Sequence, residues 1–264
     1  MKEKDEFYIG YLDEMPEGNG RFLKKVLVPV FIFIPILVLV VVFFQRPFNS
    51  NIFEFGTITE ITGTYYASPV PMLVADEGSL EGSLSTDVVL VGYGKFGATG
   101  IIKSLEEKNG ILNGKKVKIA GTLIHGEGKT LLELSEEEGS LREVLPASIP
   151  NLEPFSAAQD VSLTGEIIDP KCYFGVMKHA EGKVHKSCAI RCISGGIPPM
   201  LKIKDPQNGN KFYILLSESG LPINKEVLPF VAEQVTISGK TSKFKSWDVL
   251  YLSLGDLKVD EQEG

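Results

Sequence analysis

A continuous apolar run near the N-terminus limits the fold of this chain more than any other feature. Residues 26–44, VLVPVFIFIPILVLVVVFF, are 19 uncharged residues and nearly all of them are apolar. At about 1.5 Å per residue, a helix of this length spans roughly 28 Å, close to the hydrocarbon core of a bilayer. Pro29 and Pro35 are compatible with such a helix, because membrane-embedded helices bend around prolines. The run predicts a single transmembrane helix over residues 26–45.

Two other interpretations of the run fit less well. A buried helix of a soluble protein would normally carry a polar stripe, which this run lacks. A cleaved signal peptide would have a shorter apolar region and a small-residue cleavage pattern, whereas QRPFNS follows the run. We therefore interpret the run as an uncleaved anchor.

Basic residues beside the run predict its orientation. Arg21, Lys24 and Lys25 precede it, whereas Arg46 is the last basic residue until Lys95. The positive-inside rule then makes residues 1–25 a cytoplasmic tail and places the rest of the chain on the extracytoplasmic side, the periplasm of a bacterial inner (cell) membrane. In that compartment cysteines form disulfides or bind exported metals. The net charge of −7 provides no general attraction for nucleic acid, so we expect no nucleic-acid partner.

Beyond the run, short segments rich in β-branched residues occur in two similar halves. Both halves open on an Ile/Leu-Thr-Gly motif and close on a V-x-I-x-G strand, a turn and a return strand. Each half supplies about five strands, which is typical of a small Greek-key barrel such as the OB-fold. We predict a mainly all-β chain with two tandem OB-like β-barrels, over residues 52–136 and 161–258, joined by a linker at 137–160. A β-sandwich is the main alternative.

A glycine-rich segment in the first half has the spacing of a dinucleotide-binding loop. Gly92, Gly94 and Gly97 form G-x-G-x-x-G before a predicted helix at 101–108. The following strand ends without the acidic residue of that fold, and no βαβ series follows. We interpret the segment as a turn into the helix that crosses the first barrel.

All three cysteines and two of the three histidines lie within residues 171–192, KCYFGVMKHAEGKVHKSCAIRC. Residues 183–193 lack Gly and Pro and precede Ser-Gly-Gly and two prolines, a pattern that predicts a short helix between the first two strands of the second barrel. On this helix His185, Cys188 and Cys192 lie at i, i+3 and i+7 and share one face.

Cys172 precedes a loop that is long enough to fold this helix back beside it. A metal site is therefore sterically available, with zinc or copper as the ions that thiolate and imidazole ligands favour. The predicted metal ligands are Cys172, His185, Cys188 and Cys192, with His179 as a spare. The alternative is a disulfide of Cys172 with Cys188 or Cys192, which would leave one thiol free. A thiol oxidoreductase is a third interpretation, although C-x-x-C is absent.

The residues around this stretch and elsewhere in the barrels allow further predictions about charge and burial. We expect nearby cations to lower the thiol pKa values: Lys178, Lys183, Lys186 and Arg191. We expect surface positions for His125, Glu166 and Asp169, and we expect Trp247 and Phe244 to cover one end of the second barrel.

The segment LTGEIIDPKCYFGVMK, continued by HKSCAIRCISGGIPP, resembles a motif of uncharacterised bacterial membrane-anchored proteins. That motif has a Cys in a short β domain, then G-H-x-x-C-A-x-x-C and a Gly/Pro stretch. The match covers residues 163–200, with Val184 in place of the motif's Gly. The resemblance implies a ligand set and no reaction.

In architecture alone, one N-terminal span followed by an exported OB barrel resembles the haem chaperone of cytochrome c maturation. No H-x-x-x-Y motif of that family occurs here, so none of its residues carries over. Together these features predict a membrane-tethered, non-enzymatic protein with a Cys/His metal site. We expect it to support the assembly or function of an exported or membrane redox complex and to contact other proteins of that kind.

Overall fold

The computed structural model describes residues 15–44, 51–80, 82, 84–135, 138–146 and 158–259. The chain divides into two compact units, Met1–Phe48 and Asn49–Gly264. The first fourteen residues of the predicted tail and residues 147–157 of the predicted linker lie outside the described residues.

Helix α1 of the first unit spans Glu17–Phe44 and contains Pro29 and Pro35. Its 28 residues extend for about 42 Å, and it is long and apolar enough to cross a membrane. The helix starts before the apolar run, because the Gly20 amide donates a hydrogen bond to the Pro16 carbonyl and so forms a first helical turn of polar residues. The prediction of one apolar N-terminal helix is confirmed.

Among the described residues, seven strands and one α-helix form the first half of the second unit. They are β1 (Ile52–Phe53), β2 (Thr59–Tyr66), β3 (Met72–Ala75), β4 (Asp87–Val91), α2 (Thr99–Asn109), β5 (Lys116–Gly126), β6 (Lys129–Leu134) and β7 (Leu141–Val144). Strands β2, β3, β4, β6 and β5 pair in that order, and β5 pairs again with β2 to close a five-stranded barrel. The β4–β6 pairing is parallel, while β1 and β7 add to β5 at its ends.

The second half repeats this order with a different helix. Its elements are β8 (Gln159–Ile168), α3 (Lys186–Ser194), β9 (Met200–Ile203), β10 (Lys211–Ser217), β11 (Gln234–Phe244), β12 (Trp247–Leu252) and β13 (Leu257–Val259). Strands β8, β9, β10, β12 and β11 pair in turn, β11 returns to β8, and the β10–β12 pairing is parallel. Helix α3 lies between β8 and β9, the first two strands of this barrel. The prediction of two tandem barrels, the second with an inserted helix, is confirmed.

Each barrel has its own apolar interior, and a third cluster of buried side chains forms where the barrels meet. We call this third cluster the inter-barrel core. The first barrel contributes Met72, Val89, Ile124 and Leu131, and the second contributes Phe174, Ile197, Phe212 and Trp247. Trp247 therefore does more than cover a barrel end, since its indole N–H donates to the Asp87 carbonyl of the first barrel at 2.8 Å.

The glycine-rich loop between β4 and α2 is a second contact between the barrels. The Gly97 amide donates to the Gly195 carbonyl at 3.0 Å, directly after α3. A Cβ on Gly97 would lie well inside contact distance of the Gly196 carbonyl, and a Cβ on Gly195 would overlap the Lys95 carbonyl. The glycine spacing therefore allows two backbones to approach each other, and it positions this loop beside the Cys/His stretch.

Gly97→Ala is predicted to destabilise the protein by about 1–3 kcal/mol, because the added methyl group meets backbone that cannot move independently. The measurement is the denaturant midpoint of the full chain in detergent. Gly100→Ala in the first turn of α2 is the matched control, since no atom lies within 4 Å of its added Cβ. We expect that control to be neutral or slightly stabilising, and equal losses in the two variants would contradict the packing account.

Candidate metal centre

Helix α3 forms where the sequence predicts it, but it starts at Lys186, three residues later than expected. Gly182 has a positive φ of 70°, and the His185 amide donates to the Gly182 carbonyl at 3.0 Å. These residues form a separate turn that precedes the helix. The His185 carbonyl then accepts hydrogen bonds from the amides of Cys188 and Ala189, so His185 is the N-cap residue of α3.

Cys172 approaches His185 and Cys188 from the end of β8. The chain leaves β8 at Ile168 and forms a π-helical turn over Cys172–Val176, in which Cys172 is 4% exposed. The ligand atoms of Cys172, His185 and Cys188 all lie within 4.8 Å of one another. His185 is 3% exposed, whereas Cys188 is half-buried. A strand end and a helix thus bring two thiols and an imidazole to one point.

A second group of possible ligands shares the Cys172 thiol. It consists of Asp169, Cys172 and Cys192, whose ligand atoms also lie within 4.8 Å of one another, and all three residues are buried. The four predicted ligands are therefore divided between two overlapping groups. His179 is exposed and belongs to neither of the two groups formed by the described residues.

The expectation of a surface position for Asp169 is wrong, because this residue is fully buried. Its Oδ1 atom accepts a hydrogen bond from the Lys171 amide at 3.0 Å, which holds the carboxylate inside the turn before Cys172. Its Oδ2 atom is buried and has no hydrogen-bond partner among the described residues. An acidic residue three positions before a cysteine, directly after a buried apolar strand, is the sequence signal for this arrangement.

The two other expected surface residues are half-buried. His125 Nε2 lies 2.9 Å from a Glu54 carboxylate oxygen. Glu166 accepts a hydrogen bond from the Gly182 amide at 2.5 Å and so anchors the turn that leads to α3. Neither belongs to the two ligand groups that the described residues form.

The cation in contact with a thiol comes from the first barrel. Lys95 Nζ, in the glycine-rich loop, donates to Cys188 Sγ at 2.9 Å and lies 4.0 Å from Cys192 Sγ. The sequence instead predicts cations close in the chain, but Lys186 pairs with Glu233 and Lys178 donates to the Asn51 carbonyl. The sequence does not reveal Lys95 as a neighbour of Cys188, because the two residues are 93 positions apart in the chain.

Lys171 fixes the position of the loop that carries Lys95. Its ammonium group is buried, 2% exposed, and donates to the carbonyls of Gly92 and Gly94 at 2.7 and 2.6 Å. It also forms an ion pair with Glu133 of β6 at 2.5 Å. A buried ammonium group needs such a set of acceptors, and this set ties the Cys172 turn to the first barrel.

The electrostatics of the site favour the neutral forms of Cys172 and His185. A hydrogen bond with Cys192, burial and the nearby Asp169 carboxylate all raise the pKa of the Cys172 thiol. Burial, with a smaller contribution from Lys95, lowers the pKa of His185, and Asp169 opposes this shift. The imidazole is therefore neutral at neutral pH, and its Nε2 atom is buried without a hydrogen-bond partner among the described residues.

The cluster is able to perform two kinds of chemistry. Thiol sulfur and neutral imidazole are the ligands that zinc and copper favour, and coordination would release the thiol protons. All three thiols are free in the structure, yet Cys172 Sγ lies within 4.8 Å of both Cys188 Sγ and Cys192 Sγ. Either of the two predicted disulfides would need only a local approach of sulfur atoms to the bonding distance of about 2.05 Å.

Comparison of the chain with known protein families, with curated proteins and with solved structures finds no match. The likeness to membrane-anchored proteins with a Cys…His-x-x-Cys-Ala-x-x-Cys motif therefore stays a resemblance in motif. The geometry and chemistry of the site are therefore what bear on the function.

The lowered pKa of His185 predicts a pH dependence of stability. The unfolded chain takes up this proton at a higher pH than the folded chain. The corresponding stability is therefore fully present above about 6.5, the ordinary histidine value, and is lost as the pH falls toward the folded value. In the presence of a chelator, His185→Gln should reduce the loss of stability between about pH 7 and about pH 5.

The measurement is the denaturant midpoint of the full chain at the two pH values. His179→Gln is the matched control, because it removes an exposed histidine from the same stretch and should leave the pH dependence unchanged. An identical pH dependence in His185→Gln and the original chain would contradict the account.

Proposed function

We propose that this chain is a membrane-tethered, extracytoplasmic, non-enzymatic protein whose second barrel binds one thiophilic metal ion, zinc or copper. The observation that carries the proposal is the convergence of Cys172, His185 and Cys188 within 4.8 Å. Two of these residues are buried, and the imidazole offers a nitrogen that no described residue occupies. A buried polar atom without a partner needs an occupant, and a metal ion supplies one.

Cys172, His185 and Cys188 would hold the ion, and Cys192 would complete the predicted set of four. Asp169 competes with Cys192 for this role, since both lie within 4.8 Å of Cys172. When bound, the ion would supply a positive charge that keeps the thiols deprotonated and ties the end of β8 to α3. Lys95 would then donate to a coordinated thiolate, which is the role that groups outside the ligand set play in many metal sites.

The proposed location rests on α1 and the basic residues before it. A helix of this length and composition suits a single membrane span, and the positive-inside rule places the barrels outside the cytoplasm. The strand order of both barrels, closed and with one parallel pairing, supports the OB type. A tethered barrel with a soft-metal site suits a role in the assembly or function of a membrane or exported redox complex, whose proteins would be its partners.

The second candidate function is that of a disulfide-stapled interaction module or a thiol oxidoreductase. The observation that favours it is the approach of Cys172 Sγ to both other sulfur atoms. In an oxidising compartment such thiols form disulfides readily. Metal loading under reducing conditions separates the candidates, because only the metal site requires His185.

The purified full chain in detergent, with a reductant present, is predicted to bind one zinc or copper(I) ion per chain. Competition with a chromophoric chelator measures the affinity. His185→Gln should weaken binding at least about tenfold, and Cys188→Ser should weaken it further, because each removes a ligand. His179→Gln is the matched control and should bind like the original chain. Absence of stoichiometric metal, or equal effects of the two histidine variants, would contradict the proposal.

A labelling experiment tests the location. In spheroplasts treated with chelator, a membrane-impermeant maleimide should label the half-buried Cys188, and Cys188→Ser should remove this label. Lys4→Cys, made in the Cys188→Ser chain, places a thiol in the predicted cytoplasmic tail and should react only after permeabilisation. Labelling of Lys4→Cys in intact spheroplasts would contradict the proposed orientation.

A further inference from the structure

The contact between Lys95 and Cys188 joins the two barrels through a pair of reactive side chains. Lys95 belongs to the loop after β4, and Cys188 belongs to α3 of the second barrel. Their Nζ and Sγ atoms are 2.9 Å apart. We propose that oxidation converts this contact into a covalent N–O–S crosslink between the two side chains, which locks the barrels together. The proposal goes beyond metal binding and does not depend on it.

The backbone around Lys95 holds the amine in place before any reaction. The Gly97 amide donates to the Gly195 carbonyl, and a Cβ at Gly195 would overlap the Lys95 carbonyl. On the other side, the buried Lys171 ammonium donates to the carbonyls of Gly92 and Gly94. The loop is therefore fixed on both sides of Lys95, which pre-organises the amine and the thiol for reaction.

Cys188 is the most accessible of the three thiols to an oxidant in solution. Cys172 and Cys192 are 4% and 2% exposed, whereas Cys188 is half-buried and Lys95 is exposed. A small oxidant such as hydrogen peroxide reaches this pair from solvent. Exposure and a neighbouring cation are the two features of thiols that oxidise readily.

The chemistry balances with two molecules of hydrogen peroxide. In the first step the Cys188 thiol takes one oxygen, an S–O bond forms as the peroxide O–O bond breaks, and one water leaves. In the second step the Lys95 ammonium group gives one proton to water, and an O–N bond forms between the sulfenic oxygen and the resulting amine. The second peroxide accepts the two hydrogens lost from oxygen and nitrogen, and two waters leave. Sulfur and nitrogen are oxidised, and both peroxides are reduced to water.

A disulfide with Cys172 is the competing product. Cys172 Sγ lies within 4.8 Å of Cys188 Sγ, whereas Lys95 Nζ is already in contact at 2.9 Å. The two sulfur atoms would still have to approach each other to the bonding distance of about 2.05 Å. The amine needs no such movement, so the contact favours the crosslink.

The test treats the full chain in detergent, stripped of metal by a chelator, with hydrogen peroxide and then analyses tryptic peptides by mass spectrometry. The expected product links the peptides containing Lys95 and Cys188, and its mass exceeds their sum by about 14 Da, the gain of one oxygen and loss of two hydrogens. Dithiothreitol should reverse the link and restore one thiol per chain. Lys95 should resist trypsin in the linked form.

Lys95→Arg is the decisive variant, because it keeps the positive charge and the hydrogen-bond donors but lacks the lysine amine. It should lose the linked product completely, as should Cys188→Ser. Lys103→Arg on α2 is the matched control and should keep it. Oxidation that yields a Cys172–Cys188 disulfide or an oxyacid of Cys188 without the linked product would overturn the proposal, as would three unchanged thiols after peroxide treatment.

Discussion

The packing of one barrel against the other is the constraint on which the rest of this structure depends. Trp247 of β12 is fully buried in the inter-barrel core and donates to the Asp87 carbonyl, while the Asp87 carboxylate accepts from the Ser246 amide at 2.8 Å. The Lys129 ammonium lies over the Trp247 ring, 4.6 Å from its centroid. Apolar burial and these directed contacts hold Asn49–Gly264 together as one compact unit.

The candidate metal centre takes its properties from this packing. Cys172 and Cys192 belong to the inter-barrel core, so the thiols lie in a region from which water is largely excluded. The hydrogen bond with Cys192, together with burial in this region, raises the pKa of Cys172, and burial lowers the pKa of His185, because both effects disfavour the charged forms. A bound metal ion would reverse this balance, because its charge would stabilise thiolates that burial alone disfavours. The same packing places Lys95 in contact with Cys188, at the edge of the site.

Local sequence features predict the parts of the site that depend on local structure. Helical geometry predicts the relative positions of His185, Cys188 and Cys192. The length of the loop after Cys172 predicts that this thiol is able to lie beside the helix. The paired barrels follow from the repeated strand pattern. The roles of Lys95 and Asp169 depend on tertiary contacts and on burial that no local pattern encodes. The spacing of Gly92, Gly94 and Gly97 matches a nucleotide-binding motif. In the structure, however, Gly97 allows the backbone of this loop to pack closely against Gly195 and Gly196.

X-ray absorption spectroscopy at the zinc edge of the zinc-loaded full chain tests whether the cluster is a metal site, because it reports the atoms bound to the ion. We expect sulfur neighbours at about 2.3 Å together with nitrogen at about 2.0 Å, and loss of the nitrogen contribution in His185→Gln. A shell of oxygen and nitrogen alone would contradict the assignment of Cys172, His185 and Cys188 as the metal ligands.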